Sequence, residues 1–348
     1  MIKYILRRTL ALPVIMLIVS IILFSLVSRI PPEQRASIYL PSYNPHLTED
    51  QYQELIQITI QRYGLDQPIH VQYLKWLTRF FQGDWGYSPA WHQTVLEGFI
   101  DRAPATIELA LFSIIPTLVF AILAGVFAAK HENRLEDQMI RGFTILFWAI
   151  PPFILGILLM NILYAKFHLF PPGRLSEWAA RVITSDGYSQ YTGFITIDAL
   201  LNQNFNLFLD AIRHLILPGL CLSLVLWALY TRLMRSSLLD VLKQDYLTTA
   251  RSKGVPENRV TAIHAGRNAA IPFITVTSMS VSLFLSNLMV IEYLFNFNGI
   301  CRWALRSALV YELPVVSTFA LVMCTVVVFS SLLADILYAI IDPRIRID

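Results

Sequence analysis

"DYLTTARSKGVPENRVTAIHAGRNAAIP", residues 245–272, is a polar, charge-rich stretch set between two apolar runs. Before it comes "LILPGLCLSLVLWALYTRL" (residues 215–233), and after it "IPFITVTSMSVSLFLSNLMVIEYLF" (residues 271–295). Each run is long enough for a helix to cross a hydrocarbon core of about 30 Å, which takes roughly 20 residues. The polar stretch is therefore a connection that leaves the bilayer and returns to it. That makes the chain a polytopic membrane protein.

The rest of the sequence agrees. Its 348 residues are 55% hydrophobic and 15% charged, with a mean hydropathy of +0.55, well above a soluble domain of this size. The excess falls in six blocks: Thr9–Val27, Thr106–Ala129, Gly142–Tyr164, Leu215–Leu233, Ile271–Phe295 and Val315–Ile341. Backbone groups in lipid must be satisfied within their own segment, so these blocks are expected to be helices. Period-two alternation, the mark of a barrel, is absent. The opening "MIKYILRR" lacks a small-residue cleavage site after its apolar run, which favours an uncleaved first span. With the N-terminus inside, segments 1–8, 130–141, 232–267 and 342–348 hold 15 of the 27 basic residues. Their density places both termini on the cytoplasmic side.

Between the first two blocks lies a polar insertion, residues 31–103. It opens with an irregular strap around Pro31, Pro32, Pro41 and Pro45. A helix then starts at an N-cap Thr48, carries Tyr52, Leu55, Ile56, Thr59 and Ile60 on one face, and stops at Gly64. A second short helix, Val71–Phe81, places Leu74, Leu77, Phe80 and Phe81 on one side. So small an insertion needs the membrane helices to pack against. Its aromatics Trp76, Phe80, Phe81 and Trp85 serve that packing or a docking partner, and Asp66, Gln67 and Asp84 are the polar docking candidates. A further outer stretch, residues 166–210, reads as irregular with a short helix at Leu175–Val182. Cys221 and Cys324 fall in spans and Cys301 in a short outer loop. Neither these cysteines nor the scattered histidines have metal-ligand or disulfide-framework spacing.

Within the opening stretch, Leu238, Leu239, Leu242, Tyr246 and Leu247 recur at helical spacing from the fourth span onward, and Gly254-Val255-Pro256 is a sharp stop. A new helix begins near Glu257, carries Arg259, His264 and Arg267, and enters the fifth span. Two readings stand: a solvated connection, or a docking element that offers small and basic residues to a soluble partner. About 35 residues is long for a plain connection. Polar groups within spans also carry two readings. Glu108, Asp335, Ser278, Ser280, Ser282, Ser286, Asn287 and Glu292 either bond between helices or, for Ser282, Ser286, Asn287 and Glu292, line a wet translocation path.

"DYLTTARSKG" followed by "HAGRNAAIP" resembles the cytoplasmic signature of bacterial ABC importer permeases in its peptide-permease form. The general pattern is Glu-Ala-Ala, three residues, Gly; here Thr248, Thr249 and Ala250 occupy the first three places and Gly254 the last. "YILRRTLALPVIMLIVSIILFSLVSRIP", "YGLDQPIHVQYLKWLTRFFQGDWGYS" and "FNFNGICRWALRSALVYELPVV" with "DILYAIIDPRIR" resemble the same family in the same order. "NFNGICRW" departs from it, with Asn298 and Ile300-Cys301 where relatives usually carry Pro-Gly-Leu-Gly. The match is to the dipeptide/oligopeptide/nickel group, first permease type.

The resemblance implies an ABC type I importer-like fold: all-α, six transmembrane helices and a small helical extracytoplasmic insertion. Its divisions are helix 1 (1–30), the insertion (31–103) and a permease core (104–348) with a coupling region at 236–268. It implies a subunit in the bacterial cytoplasmic membrane that imports di- or oligopeptides, or alternatively nickel chelates or oligosaccharides. The implied partners are a second, different permease chain, two cytoplasmic ATPase subunits that bind ATP and Mg, an extracytoplasmic substrate-binding protein and membrane lipid, with no nucleic acid. The coupling helix would present Tyr246, Leu247, Thr248, Ala250, Arg251, Lys253 and Gly254 to an ATPase. The chain has no G-x-x-x-x-G-K-[ST] phosphate loop, no H-E-x-x-H and no G-x-S-x-G, so no catalytic or metal-ligand residues are assigned and an intramembrane enzyme is disfavoured. A secondary transporter would be expected to show internal repeats and paired interrupted helices, which the sequence lacks.

Overall fold

The computed structural model describes residues 2–37, 39–40 and 48–341. The strap residues 41–47, the tail "DPRIR" and the side chains of "MIKYILRR" and Asp335 lie outside the described residues. Most of what is described is helical, and the strands among the described residues form one two-stranded hairpin, Tyr87–Ser88 with Gln93–Thr94, paired antiparallel. Three helices, Val95–Lys130, Phe205–Leu242 and Leu313–Ala334, are each long and apolar enough to cross a membrane. The number among the described residues reaches five if each of two bent pairs is one span. The first block is represented there by the shorter apolar helix Leu12–Val27.

The bends correct two of the straight spans expected above. Leu135–Ala149 and Pro152–Lys166 meet at 101°, where a single helix Gly142–Tyr164 was expected. Ile150 precedes a proline and is extended at φ −92°, ψ 121°, and Pro152 then starts the next helix. Two adjacent prolines thus end one helix and begin another. Glu257–Met279 and Val281–Leu294 are bent by 48° at Ser280.

The chain divides into two compact units. One comprises Met1–Thr9, Ile107–Phe297 and Val327–Asp348. Its axis is the 38-residue helix Phe205–Leu242, which at 1.5 Å per residue is about 57 Å long and outreaches a bilayer core. Asn204 caps its start, accepting from the Leu207 N–H at 3.0 Å. Helices Leu135–Ala149, Pro152–Leu159, Ile195–Leu201 and Gly266–Met279 pack against it. Small residues set the spacing: a Cβ on Gly125 would stand 2.7 Å from Met234 Cβ, so helix Val95–Lys130 meets the axis there with backbone close to side chain. The stretch after residue 166 is more ordered than expected, with helices Glu177–Ile183 and Ile195–Leu201.

The other unit comprises Leu10–Thr106 and Asn298–Val326. Thr48 is the expected N-cap and, beyond that expectation, forms a reciprocal cap with Gln51, while Gly64 stops that helix at φ +64°. Ile56 and Ile60 join Ala36, Leu40 and Leu65 in a small core. The next helix, Ile69–Phe81, keeps part of the expected face inward, with Leu77 half-buried and Phe80 stacked on Trp85 at 5.1 Å, and turns the rest out. Leu74 is 59% and Phe81 81% exposed, while Tyr73 and Trp76 pack on Phe24 of the first helix. The Tyr73 hydroxyl is 2.8 Å from Ser20 Oγ, and that bond fixes the choice of face. Cys301 is buried in a helix, Ile300–Leu309, rather than in a loop. Trp303 of that helix packs with Val95, Phe99 and Val315.

Candidate functional site

Residues 236–254 do not form one continuous helix. The long helix ends at Leu242, and a separate eight-residue helix, Asp245–Ser252, follows. Two linker residues, Lys243 and Gln244, release it from the axis of Phe205–Leu242. Gly254 has φ +77°, and its N–H donates to the Arg251 carbonyl at 2.9 Å while Val255 N–H reaches Ala250 at 3.3 Å. This is a left-handed helix stop, which favours glycine.

One side of the short helix is anchored. Leu247 is fully buried, so its side chain holds the helix to its own protein and is not offered to a partner. The helix packs on the π-helical turn Val260–Ala265. The Tyr246 hydroxyl accepts from Asn268 Nδ2 at 2.7 Å and donates to the His264 carbonyl at 3.3 Å. Arg251 bonds Glu257 through both nitrogens, at 3.1 and 2.9 Å, and so closes the Lys253–Pro256 turn. That bond holds the Glu257 carboxyl below its ordinary range and raises Arg251.

The other side is free of such contacts. Thr248, Thr249, Ser252, Lys253 and Gly254 are exposed, and Ala250 is half-buried. Nothing stands within 4 Å of where a Gly254 Cβ would be. The sequence-derived set thus divides: Leu247 inward, Tyr246 and Arg251 tied within the chain, and Thr248, Ala250, Lys253 and Gly254 along an open edge.

Two bonds missed by pattern reading steady the surroundings. Asp137, fully buried, meets Arg235 in a two-bond ion pair of 2.5 and 2.6 Å and accepts from the Asn133 N–H at 3.0 Å. Lys130 Nζ donates to Asn258 at 3.2 Å. The partners lie 98 and 128 positions apart, beyond any helical spacing. No local pattern in the sequence marks either pair.

The four residues assigned to a path do not share one face. Ser282 and Ser286 are exposed, one helical turn apart, with Ser286 Oγ donating to the Ser282 carbonyl at 3.0 Å. Asn287 is half-buried, and Glu292 is completely buried away from them. Glu108 is structural. Its carboxylate accepts from Arg174 at 3.0 Å and from the Thr196 N–H and hydroxyl at 2.8 and 2.6 Å.

A short exposed helix that ends at a glycine matches the cytoplasmic element that the resemblance implies. Residues 121–347 match the family model "Binding-protein-dependent transport system inner membrane component", and residues 1–110 match the N-terminal model of the same systems. The chain belongs to this family. As a member it is a membrane-embedded permease component of an ABC transporter, which works with other subunits and has no ATPase site of its own. The permease is 35% identical over 347 residues to the oligopeptide transport system permease protein AppB of Bacillus subtilis (strain 168), covering 99% of this chain and 100% of that one. It is 35% identical over 288 residues to the di/tripeptide transport system permease protein DppB of Pseudomonas aeruginosa (strain UCBPP-PA14), covering 82% and 84%. The glutathione transport system permease protein GsiC of Salmonella typhimurium is 30% identical over 346 residues, covering 99% of each.

Proposed function

We propose that this permease imports short peptides and that Asp245–Ser252 is the joint through which ATPase subunits drive it. The observation that carries the reading is the two-sidedness of that helix: Leu247 is locked inward while the Thr248–Gly254 edge stays open. A connection with no partner has no need of such an edge. The relatives' names, oligopeptide, di/tripeptide and glutathione, share a peptide backbone and so support peptide cargo.

In this reading both termini and the short helix face the cytoplasm, and the 31–103 insertion faces outward toward a substrate-binding protein. Support comes from the basic residues clustered in segments 130–141 and 232–267. A second permease completes the pore. Two ATPase subunits hold ATP and Mg, and closure of their dimer rocks the permeases between inward- and outward-open states, each state stabilised by its own contacts. Ser282, Ser286 and Asn287 provide hydroxyl and amide groups suited to solvating a peptide backbone without reading its side chains. Buried Glu292 serves helix assembly.

Reconstitution tests this. Proteoliposomes holding the permease pair, its ATPases and the binding protein should accumulate labelled di- or tripeptide only with ATP inside the ATPase compartment. Accumulation by the permeases alone would overturn the reading. Accumulation of a nickel chelate or a short sugar in place of peptide would overturn the cargo only.

A further inference from the structure

The insertion's helix Ile69–Phe81 packs on the apolar first helix. Its Tyr73 and Trp76 pack on Ser20 and Phe24, while the first helix ends at Val27. Ser20 and Phe24 lie seven and three residues before that end, about 10 and 5 Å along the axis, which in a first helix that spans the bilayer corresponds to the headgroup and acyl boundary. Its outward residues Ile69, Leu74 and Phe81 are apolar, as befits a helix lying in that boundary. The helix is thus an interfacial one.

At the same depth the unit forms an open-mouthed cleft, whose empty space of about 880 Å³ includes open solvent. Its apolar lip is formed by Leu23 and Val27 of the first helix and by Leu313. Two guanidinium groups, Arg35 and Arg79, line its polar end. Arg35 is only 7% exposed. Its Nη1 donates to Gln72 Oε1 at 2.8 Å and its Nη2 to the Leu65 carbonyl at 3.4 Å, while its Nε has no partner. Arg79 donates to the Tyr63 carbonyl at 3.4 Å and lies over the Tyr63 ring. Among the described residues neither arginine forms an ion pair. A buried cation with only neutral partners is costly. Burial accordingly lowers the Arg35 pKa and raises that of neighbouring Tyr39. The cleft carries one carboxylate, Asp84, which accepts from the Gly86 N–H at 3.2 Å.

We propose that this cleft is a binding site for a membrane phospholipid, with the phosphodiester held by Arg35 and Arg79 and the acyl chains lying along the Leu23–Val27 lip. Charge and depth choose the occupant together. Arginine forks suit phosphate oxygens, and at interfacial depth the abundant phosphate is that of lipid. The bound lipid pins the insertion to the bilayer surface.

The test uses the assembled importer, purified in mild detergent from membranes rich in phosphatidylethanolamine and phosphatidylglycerol, with native mass spectrometry of this subunit. The expected result is one phospholipid retained per chain. Arg79→Gln, which removes one charge-assisted contact, should cut that occupancy roughly 10-fold. Arg79→Lys should restore part of it. Thermal unfolding of the delipidated complex should shift upward on return of phospholipid, and less for Arg79→Gln. Equal occupancy in wild type and Arg79→Gln would overturn the proposal. So would an equal upward shift produced by inorganic phosphate alone, which would make the cleft a free-anion site, or by a dipeptide, which would make it a cargo site. Arg35→Gln is a second variant. If it fails to assemble because of its Gln72 and Leu65 bonds, the Arg79 pair decides the matter by itself.

Discussion

Asp137 shows how much one side chain can fix. Its carboxylate is fully buried against Arg235 and ties helix Leu135–Ala149 to the end of the Phe205–Leu242 axis. Removing one member of a buried pair leaves the other charge stranded, at a cost of about 3 kcal/mol or more. Asp137→Asn is expected to lower the thermal midpoint of the purified complex measurably, and adding Arg235→Gln should recover part of the loss. An unchanged midpoint in the single variant would show that the pair contributes nothing. The Arg251–Glu257 pair is exposed and acts differently. Because Glu257 titrates below its unfolded value, the turn gains order above the ordinary carboxylate range and loses it as pH falls through the lowered value. A spin label at Ser252 should therefore stay constrained from neutral pH down to that range and become mobile below it. High salt should weaken the effect, since exposed pairs are screened. Mobility that ignores pH would mean the turn is held by Gly254 and Pro256 without the pair.

At the scale of elements, the stop at Gly254 separates geometry from docking. Asparagine tolerates a left-handed φ far better than tryptophan, and open space surrounds the position. Gly254→Asn is expected to assemble and to keep most uptake. Gly254→Trp should insert in the membrane yet lose coupled uptake by blocking approach of a partner. Equal uptake in both would remove the edge from the mechanism. What the sequence revealed about elements followed how local the determinant was. The Thr48 N-cap and the Gly64 and Gly254 stops were legible because each is decided within four or five residues. The inward face of Ile69–Phe81 was not. Leu74 and Phe81 are as apolar as Tyr73 and Trp76, and beside a membrane both faces of a helix can be apolar. The 101° break at Pro151 was visible as two prolines but not as an angle, because membrane helices absorb proline when neighbours rescue the freed groups. Leu247 was expected as a contact residue from the family resemblance. Its inward turn follows from the break at Lys243–Gln244, which no periodicity marks.

For the whole molecule, family membership was readable from a few motifs in order along the chain, because those motifs serve a shared machine. The placement of Glu292 away from Ser282 and Ser286 was not, since burial depends on which helices pack around a bent span. The central claim is mechanical: a soluble ATPase grips the open edge of Asp245–Ser252. The most direct measurement places a photo-crosslinking residue at Thr249, exposed and outside every bond that anchors the short helix to its neighbours. Irradiated in the assembled importer, it should yield an adduct with an ATPase subunit, at a yield that changes when ATP is added. Adducts to lipid or to the substrate-binding protein, with none to an ATPase, would contradict the account.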